Sequence, residues 1–239
     1  MLHHALNLEL VTLPGGAPAW PEPLSLAVAL NEVVLIEGAD PARAAPLLEV
    51  AATLQSPVAG RLRHWGWRAE TLSRQELYRL RSRIAFISPR QMLLHLLTLG
   101  ENLALASCYH LGGSESKALE PHADLLEQLK LQAHLEQFPT QVSAAVSTRA
   151  LWARELLKKP ELILATISGS LAGARAEMLL TVLKNYLSRY RAAALLVGES
   201  LEPFYPLGHR LLHLEAGHLL KNPILEHRAR PLTAYLPLV

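Results

Sequence analysis

The chain has 239 residues, 50% of them apolar and 18% charged, with a formal net charge of +2. That composition buries one well-packed domain with room for a subdomain, and it excludes the basic stripe that holds nucleic acid. The single cysteine, Cys108, excludes an internal disulfide and a paired-cysteine zinc site and suits a reducing cytosol.

Residues 6–13 alternate apolar and polar like a strand, Pro14-Gly15-Gly16 turns the chain, and residues 24–30 alternate again before the apolar run 33–36. Residues 45–54 have helical spacing, 60–66 read as a strand and turn, 74–81 as a helix, and 84–87 as a short apolar strand. From 91 to about 137 the sequence becomes leucine-rich and is predicted helical, broken at Gly112-Gly113-Ser114 and at Pro121. A helix over 143–158, a buried-type strand over 160–164, a helix over 177–190, a strand over 193–197 and a hairpin over 210–217 follow. Strands alternating with helices predict a mainly parallel α/β sheet. The tail, 221–239, carries three prolines and is predicted to pack on a surface. The first residues lack a basic leader pattern, and no apolar run approaches the ~20 residues needed to span a bilayer, so a soluble protein is expected.

The junction after the run 33–36 is where a phosphate-binding loop would sit. A working loop of this kind reads GxxxxGK[ST], with glycines that let amides close around phosphates, a lysine for the terminal ones and a hydroxyl for Mg²⁺. Counted from Gly38, the second glycine is Arg43, the lysine is Ala44 and the hydroxyl position is Ala45, while Pro46 removes one more N–H. The same residues also read as an ordinary turn, with Asp40 as helix cap and Pro41 at the first helical position.

Taken together, the segments resemble the nucleotide-binding domain of ABC transporters over roughly residues 6 to 220. Glu37-Gly38 through Ser56-Pro57-Val58-Ala59-Gly60-Arg61-Leu62 resembles the family's GPNGSGKSTLL segment and the PTSGRV strand after it, without a gap. Residues 72–84 resemble the stretch before the Q-loop, Leu97-Thr98-Leu99-Gly100-Glu101-Asn102 resembles LTVLEN, and 150–161 resembles the ARALALDPE run. The resemblance implies a P-loop NTPase-like, mainly parallel sheet with an antiparallel β subdomain and an inserted helical subdomain. It divides a single domain into a core (1–90 and 138–220), a helical lobe (91–137) and a tail (221–239).

Carried over residue by residue, the family's nucleotide positions hold other chemistry. Pro89 stands for the Q-loop glutamine, with Gln91 two residues on, and Trp20 is the nearest aromatic to the adenine-stacking position expected near 13–17. Thr166 and Ile167 stand for the Walker B aspartate and glutamate, which would hold Mg²⁺ and act as base, and Glu199 stands for the switch histidine. The signature motif reads Val142, Ser143, Ala144, Ala145, Val146, retaining the serine and the helix-end amides. Ser143 reads either as a plain helix cap or as a ligand completing the ATP site of a partner domain.

The expectation is a pseudo-ATPase with no catalytic residues, no metal, and weak or absent ATP and Mg binding, serving as a structural or regulatory subunit of a membrane transporter. The resemblance implies docking to a membrane-spanning subunit through Met92, Leu93, Leu94, Leu96, Leu97 and Leu99. It also implies a second nucleotide-binding domain as partner, as homo- or heterodimer, and a cytoplasmic location peripheral to the membrane. Two alternatives stand beside it: a divergent ATPase using Arg43, Gln91 and Glu199, and a soluble scaffold that kept the fold. The pairs His3-His4 and His209/His213 are expected to be solvated or core histidines, not metal ligands, and Trp65, Trp67 and Trp152 are expected to pack.

Overall fold

The computed structural model describes residues 4–14, 20–111, 119–168 and 173–221. Two compact units emerge, residues 1–88 with 161–239, and residues 89–160. The predicted break at 112–114, residues 15–17 of the adenine-stacking position, His3 and nearly all of the 221–239 tail lie outside the described residues.

The first unit is built on two sheets. Strands β1 (His4–Thr12), β2 (Leu24–Ala29), β4 (Ala59–His64) and β5 (Trp67–Arg68) form an antiparallel sheet in the order β2-β1-β4-β5. The second sheet runs β10-β9-β3-β8-β7-β6, from β3 (Val33–Glu37), β6 (Ile84–Ile87), β7 (Leu162–Ile167), β8 (Ala193–Gly198), β9 (Arg210–Glu215) and β10 (His218–Lys221). Only the β9/β10 pair of this sheet is antiparallel. Strands β3, β7 and β8 are buried along their whole length, which is why they read as unbroken apolar runs. Alternate residues of these strands, Val34, Ile36, Leu162, Leu164, Leu195 and Val197, share a core with Leu8, Leu26, Val28 and Leu62 of the other sheet. Helix α1 (Pro41–Ala51) adds Ala44, Leu47, Leu48 and Ala51 to that core.

Helix α1 starts four residues earlier than its apolar spacing suggests. Asp40 caps it and Pro41, whose fixed φ and missing N–H suit the first helical position, opens it. The unit also holds α2 (Arg74–Ser82), begun by a Ser73/Glu76 capping box. A long helix, Ala174–Tyr190, precedes β8.

The second unit contains α3 (Leu99–Leu111), α4 (Ala123–Gln128) and α5 (Ala144–Leu156); we number the long helix of the first unit α6. The stretch 91–98, predicted helical for its leucines, is instead a loop. Asn102, fully buried, explains it. Its Oδ1 accepts from the Leu94 N–H at 2.7 Å, and its Nδ2 donates to the carbonyls of Leu94, Leu97 and Thr98 at 3.0, 3.1 and 2.8 Å. One amide side chain thus satisfies backbone groups that a helix would otherwise have paired.

Candidate functional site

In the first unit the expected nucleotide positions gather at the carboxyl ends of β3, β7 and β8. Gly38 follows β3 with φ of +85°, and a Cβ built on it would lie 2.7 Å from the Leu214 carbonyl oxygen. Its N–H donates to the Glu199 carbonyl at 3.3 Å, and the Ala39 N–H donates to that of Gly198 at 3.2 Å. The chain reaches α1 after only three residues, so Arg43, Ala44, Ala45 and Pro46 lie inside the helix and form no loop of their own. Ala44 and Ala45 are buried. Pro46 removes the amide that would have bonded the Ala42 carbonyl.

The positive end of α1 is already met by an anion. The Asp40 carboxylate accepts from the Arg43 N–H at 2.8 Å, and the Arg43 guanidinium lies 3.7 Å from the same carboxylate. A phosphate arriving here would meet Asp40 at the amide it needs. Trp20 is buried and its indole N–H donates to the Arg43 carbonyl at 2.8 Å, so its ring packs against the start of α1 and presents no open stacking face. Thr166 and Ile167 are buried at the end of β7, and Glu199 is exposed after β8.

Three residues at this edge carry no motif signal. Glu37, the last residue of β3, is buried and accepts from the Leu201 N–H at 2.6 Å and the Tyr205 hydroxyl at 2.8 Å. Burial and then this carboxylate push the Tyr205 phenol up to about 12. The bond holds the segment after Glu199 against β3. His213, opposite Glu37 in the β3/β9 register, brings its ring beside Gly38. His209 is committed elsewhere, its Nδ1 accepting from the Val33 N–H at 3.1 Å, with burial lowering its pKa.

In the second unit, Val142 is extended, Ser143 caps α5, and its hydroxyl accepts from the Val146 N–H at 3.4 Å. Ser143 and Ala144 are exposed, and Val146 is buried. The first-turn amides of Ala144 and Ala145 have no intrahelical acceptor, and no acidic residue stands in that turn. Unlike the end of α1, this helix end has a neutral cap and suits a phosphate oxygen. Pro89 is exposed and Gln91 partly buried. Of the expected docking residues, Met92, Leu94 and Leu96 are exposed, Leu96 to 91%, and Leu97 is half-buried. Leu93 and Leu99 are buried in the unit and offer no surface, a correction that follows from the loop made by Asn102.

No protein-family model matches the chain. Among curated proteins, the lipoprotein-releasing system ATP-binding protein LolD 2 of Chlorobaculum tepidum is 33% identical over 227 residues, covering 92% of this chain and 91% of its own. The chain belongs to the ATP-binding cassettes of ABC transporters. LolD 1 of Chlorobium luteolum, 30% identical over 201 residues, covers 81% of the cassette and 85% of its own length. The dimeric bacterial ABC transporter cassette MJ0796 superposes with a TM-score of 0.77 at 23% identity, covering 90% of this cassette and 96% of its own chain. The same protein as a post-hydrolysis dimer bound to ADP and Pi gives 0.75 at 22% identity.

By family the cassette is an ABC transporter ATP-binding subunit, and its mixed α/β fold is that of the ABC ATPases. These relatives correct two expectations, that the chain is no enzyme and that it has no ATP or Mg cofactor. The two LolD relatives are named ATP-binding proteins, and the solved neighbour holds ADP and Pi in a dimer. The physical reason is that residue identities read one position at a time do not by themselves decide what a folded chain binds.

Proposed function

We propose that the cassette serves an ABC membrane transporter as a structural or regulatory subunit, contributing to ATP use through the N-terminus of α5. A second cassette, a paralogue that holds the triphosphate on its own phosphate loop, would face that helix end. The contrast between two helix ends carries the reading: Asp40 fills the one at α1, whereas Ser143 leaves the one at α5 neutral and exposed. The Ser143 hydroxyl and the Ala144 and Ala145 amides would hold terminal phosphate oxygens, where fixed dipoles stabilise developing negative charge. A bound triphosphate supplies the phosphoryl group that passes to water. This chain's part is to orient and to neutralise.

Met92, Leu94 and Leu96 would dock a membrane-spanning subunit, which puts the cassette at the cytoplasmic face of the membrane as a peripheral subunit. No described helix is long and apolar enough to cross a bilayer, so such a position relies on a partner. The deciding experiment compares Ser143→Asp with Ser143→Thr in the complex purified from native membranes. Both residues cap helices, so α5 stays folded in either. Ser143→Asp is expected to cut ATPase by more than about tenfold through charge repulsion, with Ser143→Thr close to wild type. An Asp variant that turns over ATP at the wild-type rate overturns the reading.

A further inference from the structure

On the first unit a cavity of about 160 Å³ opens between Trp67 and one face of α2, lined by Trp67, Leu72, Glu76, Arg79, Leu80 and Arg83. We infer that this groove receives one large apolar side chain from an acidic segment of a partner protein. The inference is independent of the function proposed above.

Most of the lining is one face of α2. Residues 76, 79, 80 and 83 follow the three- and four-residue spacing that aligns side chains along a helix, and Leu72 stands just before the Ser73 cap. Leu80 is buried and forms the floor, while Trp67 stands 64% exposed as a wall. Its neighbour Trp65 is used by the fold: it packs against the core, and the Arg83 guanidinium lies 3.9 Å from its ring centroid. Trp67 has no such duty. It is held in place by pairing with His64 across a tight hairpin, so its apolar face is offered to solvent on a rigid frame. The volume is well below the ~300–1,000 Å³ that encloses a small molecule or cofactor, and it matches one side chain.

Charge selects the kind of segment. Residues 60–83 contain seven arginines, two glutamates and no lysine, a local excess that the whole-chain charge of +2 conceals. Glu9 stands near Arg61 and Arg63, Glu70 near Arg68, Glu161 binds Arg83, and Glu76 acts on Arg79. The guanidinium groups of this stretch outnumber the carboxylates beside them. Arg81 is bound to the Thr53 hydroxyl and carbonyl, which are neutral. The one carboxylate in the lining, Glu76, is turned to the Ser73 cap, with bonds of 2.8 and 2.6 Å. Of the two lining arginines Arg83 is held by Glu161 at 2.7 Å, whereas Arg79 makes no ion pair among the described residues, so its fork favours an acidic residue beside the inserted side chain. The chain's own residues 222–239 fit poorly, with two arginines and one glutamate. A flat bilayer does not fill a concave slot.

The test uses the full-length protein and fluorescein-labelled peptides of about twelve residues, read by fluorescence anisotropy. One peptide sets two phenylalanines among glutamates, a second replaces the phenylalanines with alanine, and a third replaces the glutamates with lysine. The first is expected to bind, and the other two at least about tenfold more weakly. Trp67→Ala and Arg79→Glu are each expected to weaken the first peptide about tenfold, with Trp67→Phe near wild type and circular dichroism confirming the fold. Equal binding of the alanine peptide, indifference to Trp67→Ala, or no binding up to about 1 mM would each overturn the inference. So would binding to phosphatidylglycerol vesicles, lost in Trp67→Ala, with none to the peptide, since the occupant would then be a membrane surface.

Discussion

At the scale of single residues, His64 shows what the core costs. It is fully buried at the end of β4, and no hydrogen bond of good geometry reaches its ring. Burial, aided by the nearby Arg83 charge and opposed in part by the backbone of Ala5 and Ala51, lowers its pKa to about 4. A histidine that stays neutral when folded but protonates more readily when unfolded stabilises the fold fully only above its unfolded value of 6.5. That contribution is lost as pH falls from 6.5 toward 4. Between about pH 7 and about pH 5 the loss amounts to about 2 kcal/mol. Urea unfolding at the two pH values checks it: His64→Leu, which cannot titrate, should lose about 2 kcal/mol less than wild type over that interval. Equal losses would mean that the His64 pKa is the same in the folded and the unfolded chain. The Glu37–Tyr205 bond belongs to this scale too, and no local pattern announces it, because the partners are 168 residues apart in sequence.

At the scale of elements, the loop 91–98 depends on one side chain. Asn102→Ala removes an acceptor and the donor to three carbonyls, leaving buried backbone groups unmatched, and should cost about 2–4 kcal/mol. Amide exchange at Leu94 should quicken by more than about tenfold, whereas an unchanged Leu94 amide would show that the loop is held by other contacts. The same loop marks where sequence legibility ended. Strands β3, β7 and β8 were readable because a strand buried on both faces is an unbroken apolar run, and the Asp40-Pro41 pair announced the start of α1. Residues 91–98 read as helix because leucine favours one. What overrides it is a buried amide from the next helix, a tertiary bond that no local pattern contains. At the candidate site the identities at 43–46 were legible, but the geometry was not. That the Asp40 carboxylate would take the Arg43 amide, and that Trp20 would turn inward to the Arg43 carbonyl, depend on how the chain closes on itself.

At the scale of the whole molecule, a cassette of net charge +2 has little long-range field with which to find a membrane subunit, so the proposed attachment rests on apolar contact. On the docking proposed above, the exposed side chains of Met92, Leu94 and Leu96 would supply that contact within five residues, and Asn102 holds their loop in a fixed form, which would lower the entropy lost on docking. Leu96 is the most exposed of the three and makes the cleanest probe. Leu96→Glu should leave unfolding unchanged, since it removes no buried surface, yet reduce recovery of a membrane-spanning subunit in mild-detergent purification by about tenfold. Leu99→Ala tests the opposite case. Leu99 is fully buried, so its truncation should lower stability by about 2–5 kcal/mol. Any loss of the membrane partner in that variant would follow the unfolded fraction. If Leu96→Glu retains the membrane subunit at the wild-type level, the exposed leucines are not the attachment point. The search for that point would then move to exposed apolar residues of the first unit, Trp67 among them.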